Sequence, residues 1–198
     1  MKKIFWVVAL SVFVLSACVN NDSQSNTIST VELTERENAL LTITSDKSFV
    51  FDFNSNGEFK VVSVWVEKYE FGKFVNDKVS SISTPVEENG TIIFATSKAD
   101  GRQKQQTFNI GISGNGSTGS VSGFDENATD VDKMSSVWGD FQEESKSIDG
   151  EVVLASICYS SDESGMSSLS TDFYKDIEGH MSELDEYDVV YLLKAQFK

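Results

Sequence analysis

The chain has 198 residues and carries 31 acidic against 16 basic side chains, a formal charge of −15 at neutral pH. A field of that sign repels nucleic acid and anionic headgroups, which argues against nucleic-acid binding and leaves basic proteins and cations as the partners the charge favours. With 39% apolar residues the chain can bury one sizeable core, and two cysteines are too few for a disulfide framework.

Met1-Lys2-Lys3 opens the chain with positive charge, and Ile4 to Leu15 follow as an uncharged, mostly apolar run. Twelve helical residues reach only about 18 Å against about 30 Å of hydrocarbon, so the run reads as a secretory signal and not as a spanning helix. Leu15-Ser16-Ala17-Cys18 closes it and resembles the lipobox of bacterial lipoproteins. The resemblance implies diacylglyceryl transfer to the Cys18 thiol and cleavage between Ala17 and Cys18. It also implies attachment to the outer face of the bacterial cell membrane, or to the outer membrane in a Gram-negative cell. Two acyl chains on one cysteine make a durable anchor, where a single chain is marginal. The mature chain would carry −17, and Cys158 would remain as an unpaired thiol. Cys158 sits in the apolar run Val152 to Tyr159, where a cysteine behaves as a small buried hydrophobe.

Val19 to Asn38 is polar without a sustained period and reads as a flexible tether, although Glu32, Glu35, Arg36 and Glu37 also permit a helix over Val31 to Leu41. The expected organisation is therefore a signal peptide at 1–17, a lipidated cysteine with its tether at 18–38, and one domain at 39–198.

Alternation begins with Phe49, Phe51 and Phe53 on one face of a strand. Asn54-Ser55-Asn56-Gly57 predicts a tight hairpin into Glu58 to Phe71. There Val62, Val64 and Val66 face opposite to Phe59, Val61 and Trp65, the pattern of an interior strand apolar on both sides. Lys73 to Ser83 alternates more weakly, and Pro85 marks an edge. Thr91 to Ser97 and Lys104 to Ser113 predict a second hairpin about Asp100-Gly101, and Gly114-Asn115-Gly116 a turn into a strand near Val121. Met134, Val137, Trp138 and Phe141 fall at helical spacing and predict a short amphipathic helix over Thr129 to Glu144. Strands at Glu151 to Tyr159 and Tyr187 to Gln196 close the chain. The long acidic connection between them carries Phe173, Ile177, Met181 and Leu184 as a helical turn or two. The fold class this predicts is all-β: an antiparallel immunoglobulin-like β-sandwich with one or two short helices in its loops. Val64 to Lys73 and Val189 to Lys194 also resemble small immunoglobulin-like lipoproteins of Gram-positive bacteria, which implies the same fold.

Chemistry-bearing motifs are sparse. Asp52 to Gly57 imitates the start of a calcium loop but has Ser63 where a bidentate glutamate belongs, so the turn reading is preferred. Asp125, Asn127, Asp130 and Asp132 form a second oxygen-rich cluster and are the candidate calcium ligands; no other cofactor is indicated. The single histidine, His180, lies in the polar connection, and there is no nucleophile elbow. Trp65, Tyr69, Phe71 and Phe74 surround a turn at Gly72 and are the candidate binding residues, able to stack on a glycan or seat a partner loop. The expected function is a membrane-anchored, non-catalytic binding or interaction module with a basic envelope protein or a glycan as partner. The alternative is a carboxylate-dependent hydrolase of cell-wall or extracellular polymer.

Overall fold

The computed structural model describes residues 26–86, 88–98, 106–114, 116–128, 131–162 and 165–198. They form two antiparallel sheets packed face to face, the all-β sandwich that the alternation predicts.

The first sheet has six strands: β1 (Thr27–Thr30), β2 (Ser48–Asn54), β5 (Asn89–Thr96), β6 (Gln106–Gly114), β7 (Ser117–Asp125) and β9 (Lys146–Ser147), in the spatial order β7-β6-β5-β2-β1-β9. The second has five: β3 (Val61–Glu70), β4 (Lys73–Pro85), β8 (Ser135–Asp140), β10 (Glu151–Ser160) and β11 (Val189–Phe197), in the order β4-β3-β11-β10-β8. Phe51, Phe53, Ile92, Phe94, Phe108 and Ile110 project from the first sheet into the shared core. Val62, Val64, Val66, Ile157, Tyr191 and Leu193 meet them from the second. Phe53 against Phe197 and Phe108 against Tyr191 span the interface, with ring centroids 5.3 and 4.6 Å apart.

The second sheet is buried on both sides. Ser156, Cys158, Val190 and Leu192 face away from the first sheet, beneath α2 (Thr171–Lys175), α3 (Ile177–His180) and a 3-10 turn at Met181–Glu186. Phe173, Tyr174 and Leu184 supply this cover, and the Tyr174 hydroxyl lies 2.8 Å from Ser156 Oγ. That explains the unbroken apolar run of β10, which a one-faced strand would not need.

Three expectations need correction. Residues 27–38 are not a tether. Thr27–Thr30 pairs with β2 and β9, and α1 (Glu35–Thr44) begins at a Thr34 capping box with Glu37. Asn54-Ser55-Asn56-Gly57 is not a hairpin, because β2 and β3 lie in different sheets; the segment crosses between them with Gly57 at φ +81°. The helix expected over Thr129 to Glu144 is a 3-10 turn at Val131–Lys133 followed by β8, which pairs Trp138 with Ile157 along the exposed edge of β10. Ser135, Ser136 and Gly139 are poor helix formers, and hydrogen bonds on offer from β10 override a chance helical spacing.

Candidate functional site

β3 and β4 form a long hairpin at the edge of the second sheet, joined by Phe71 and Gly72 at φ +49° and +70°. Consecutive positive φ values make the tight reversal that matches strand twist, a conformation for which glycine and asparagine are the usual residues. A phenylalanine there is strained, and this one is 65% exposed. Phe74, at 56% exposure, and Val75, at 49%, extend the apolar surface along β4.

The hairpin is held from beneath. Tyr69 is buried, sits edge-on to Phe74 with centroids 5.5 Å apart, and donates its hydroxyl to Glu67 Oε2 at 2.9 Å. Glu67 also accepts the Trp65 indole N–H at 3.0 Å and pairs with Lys194 at 3.0 Å, and Lys194 reaches Glu151 at 2.9 Å. Burial, reinforced by the neighbouring Glu67 carboxylate, pushes the Tyr69 phenol well above its ordinary value, so it serves as a donor. At the turn itself the Phe71 amide donates to the Asp188 carbonyl at 3.1 Å. Gly72 packs so closely on Asp185 that a Cβ there would lie 1.7 Å from its Oδ1. Asp185 lies against the turn, and β4 beyond it exposes charges of both signs, Lys73, Asp77 and Lys78.

The four candidate aromatics therefore divide by role. Phe71 and Phe74 present surface, Tyr69 supports them, and Trp65 is half-buried and tied to Glu67. Val75, Glu67 and Lys194 were not singled out from sequence. Glu67 shares the strand phase of Trp65 and Tyr69, which is the signal that could have found it.

The described candidate calcium ligands differ in setting, Asp125 being buried and Asn127 and Asp132 exposed. Asp125 is 6% exposed and turned between the sheets, where Lys68 Nζ lies 2.7 Å from its Oδ2 and the Tyr191 hydroxyl donates to the same oxygen at 2.8 Å. Its Oδ1 accepts the Asn127 amide at 2.9 Å. Asn127 and Asp132 face solvent, and Asp130 lies outside the described residues. Among the described residues no group of three His, Cys, Asp or Glu side chains is placed to hold a metal ion.

Cys158 is fully buried, and burial pushes its thiol up to about 12, which removes thiolate chemistry at neutral pH. His180 is a surface residue whose Nδ1 lies 2.9 Å from the Asp176 carbonyl. Ala17 and Cys18 lie outside the described residues. No helix among the described residues is long and apolar enough to cross a membrane.

The described residues thus define a two-sheet antiparallel β-sandwich with a braced hairpin that presents aromatic side chains to solvent. A family model for the YgaN domain matches residues 27–197, and the chain belongs to that family. No curated protein and no solved structure matches the chain.

Proposed function

We propose that the protein is a lipid-anchored, extracytoplasmic, non-catalytic binding module whose contact surface is the tip of the β3–β4 hairpin and whose partner is a basic envelope protein. The observation that carries this reading is Phe71, an aromatic residue held at positive φ and left exposed. The position disfavours it twice, in backbone strain and in apolar exposure, and either asparagine or glycine would relieve both. The overall excess of acidic side chains, 31 against 16 basic, and Asp185 against the Gly72 turn suit a partner rich in lysine and arginine, with Lys73 as the opposing charge beside the turn, through ion pairing and contact of cations with ring faces.

The anchor supports the same orientation. Asn26 is bonded to Glu58 and Asn56 at the end of the sandwich where β3 begins, and the hairpin turn is where β3 ends. A strand of ten residues separates the two by about 30 Å. Lipid on Cys18, eight positions before Asn26, would hold the first end within about 30 Å of the headgroups and direct the aromatic tip outward.

The test is capture by the full chain of a lysine- and arginine-rich peptide and of basic envelope proteins, at low and high salt. Retention at low salt that is weakened by salt and abolished by Phe71→Asn with Phe74→Ser supports the reading. Equal retention by the variant contradicts it.

A further inference from the structure

Lys68 occupies a position on β3 in phase with Val62, Val64 and Val66, so its side chain enters the core, where it is 2% exposed. Its Nζ is 2.7 Å from Asp125 Oδ2 and 2.6 Å from Glu70 Oε1. Asp125 ends β7 in the opposite sheet, and Phe108 and Tyr191 close the space between the sheets here. A buried ammonium and a buried carboxylate in contact bear a large desolvation cost, whereas an amide of the same atoms is neutral. Condensation needs a nucleophilic amine beside a carboxyl carbon, a donor to the carbonyl oxygen that becomes an oxyanion, a group that relays protons, and exclusion of water. The reacting pair is buried, Lys68 at 2% and Asp125 at 6% exposure. The Asn127 backbone N–H donates to Asp125 Oδ1 at 2.9 Å, and Glu70, 2.6 Å from Nζ with 39% of its side chain exposed, links the pair to solvent as the proton relay and the exit for the water released.

We propose that Lys68 and Asp125 condense in the folded protein to an intramolecular amide that joins β3 to β7 across the two sheets. One Nζ proton passes to Asp125 Oδ2, which converts the ion pair to a neutral amine and acid. The amine lone pair attacks Asp125 Cγ, and the charge that develops on Oδ1 is held by the Asn127 amide. A second Nζ proton passes to Glu70 and from it to Oδ2, whose bond to Cγ then breaks. The Nζ–Cγ bond forms, one water leaves, the third Nζ proton remains on the amide, and Glu70 is regenerated. No oxidant or cofactor enters the balance. The Tyr191 hydroxyl, 2.8 Å from Oδ2, hydrogen-bonds the departing oxygen. Burial acts against the Lys68 ammonium, but Asp125 and Glu70 outweigh it and hold the group above its ordinary value. The free amine is therefore a minor species, and the linkage forms slowly after folding.

The test is peptide mass analysis of the full chain, denatured and digested after several days in the folded state. The expected result is a branched species in which the peptide containing Lys68 is joined to that containing Asp125, lighter than the two together by one water. Fragmentation must place the bond between those side chains, which distinguishes it from dehydration at Asp-Gly sequences. Lys68→Arg preserves the charge and should abolish the species. Glu70→Gln should retain the fold by circular dichroism and slow linkage at least about a hundredfold. Recovery of both peptides only in unlinked form from folded wild-type protein overturns the proposal. Linkage in Glu70→Gln at the wild-type rate overturns the part assigned to Glu70.

Discussion

Glu67 on β3 and Lys194 on β11 meet at 3.0 Å on the outer face of the second sheet, and Glu67 uses its remaining hydrogen-bonding capacity on Trp65 and Tyr69. One carboxylate therefore couples an interstrand ion pair to the two aromatic residues beneath the hairpin tip. Glu67→Ala should destabilise the fold by about 2–3 kcal/mol, because it leaves Lys194 with only Glu151 and strips a buried hydroxyl of its acceptor. Adding Lys194→Met should recover part of that loss in denaturant melts. Additive single effects would show that the two residues are not coupled.

Two glycines make contrasting tests of the packing. A Cβ on Gly123 would lie 2.4 Å from the Val79 carbonyl oxygen and 2.6 Å from Ser80 Cβ, so β7 can approach β4 only with glycine there. Gly57 has open space around it, and only its φ of +81° resists substitution. Gly123→Ala should cost about 3 kcal/mol and Gly57→Ala about 1 kcal/mol. Similar losses in the two variants would mean that the sheets are not in close contact at Gly123.

Alkaline pH should unfold the domain. Burial raises Cys158 from 9.0 to about 12 and pushes the phenols of Tyr159, Tyr174 and Tyr191 well above 10.0. Such acids keep their protons in the fold, while the unfolded chain releases them from its lower, ordinary values. Stability from these groups is therefore complete below about pH 9 and is lost as pH rises through 9 to 10 and beyond. Melting temperature measured from pH 7 to 11 should fall in that window, with phenolate absorbance appearing together with unfolding. Titration of these tyrosines near pH 10 in folded protein would contradict their burial.

The strand pattern was legible in the sequence because period-2 alternation records burial directly. Phe49, Phe51 and Phe53 face the core, as do Val62, Val64 and Val66. The same alternation carried a signal that went unread: Lys68 continues the valine series, and a lysine in that phase is a buried cation that requires a carboxylate. Its partner was not legible, since Asp125 lies on a strand of the other sheet and only the tertiary fold brings them together. β1 was missed because four residues of Thr, Ile and Ser carry little apolar signal, and their place is set by hydrogen bonds to β2 and β9. The aromatic hairpin was half legible. Sequence grouped its four residues, but which of them face solvent depends on the register of β3 with β4 and on the cover over Tyr69.

Membrane attachment should depend on Cys18. Cys18→Ser should yield uncleaved precursor or protein released from the membrane fraction, and mass analysis of the wild type should find diacylglyceryl on that residue. Unchanged fractionation, processing and mass in the variant would exclude lipidation at Cys18.

Phe71 offers the most direct test of the binding reading, because its effects on stability and on function should have opposite signs. Phe71→Asn places a residue suited to positive φ in the turn and removes an exposed apolar side chain, so it should stabilise the fold by up to about 1 kcal/mol. The measurement is binding of a lysine- and arginine-rich peptide to the full chain, to Phe71→Asn and to the Phe71→Asn, Phe74→Ser variant, with melting temperatures determined on the same samples. The account predicts that Phe71→Asn melts no lower than wild type and binds more weakly, and that the double variant, which also loses the Phe74 ring packed on Tyr69, has lost salt-sensitive binding. A variant that binds as wild type does would contradict it.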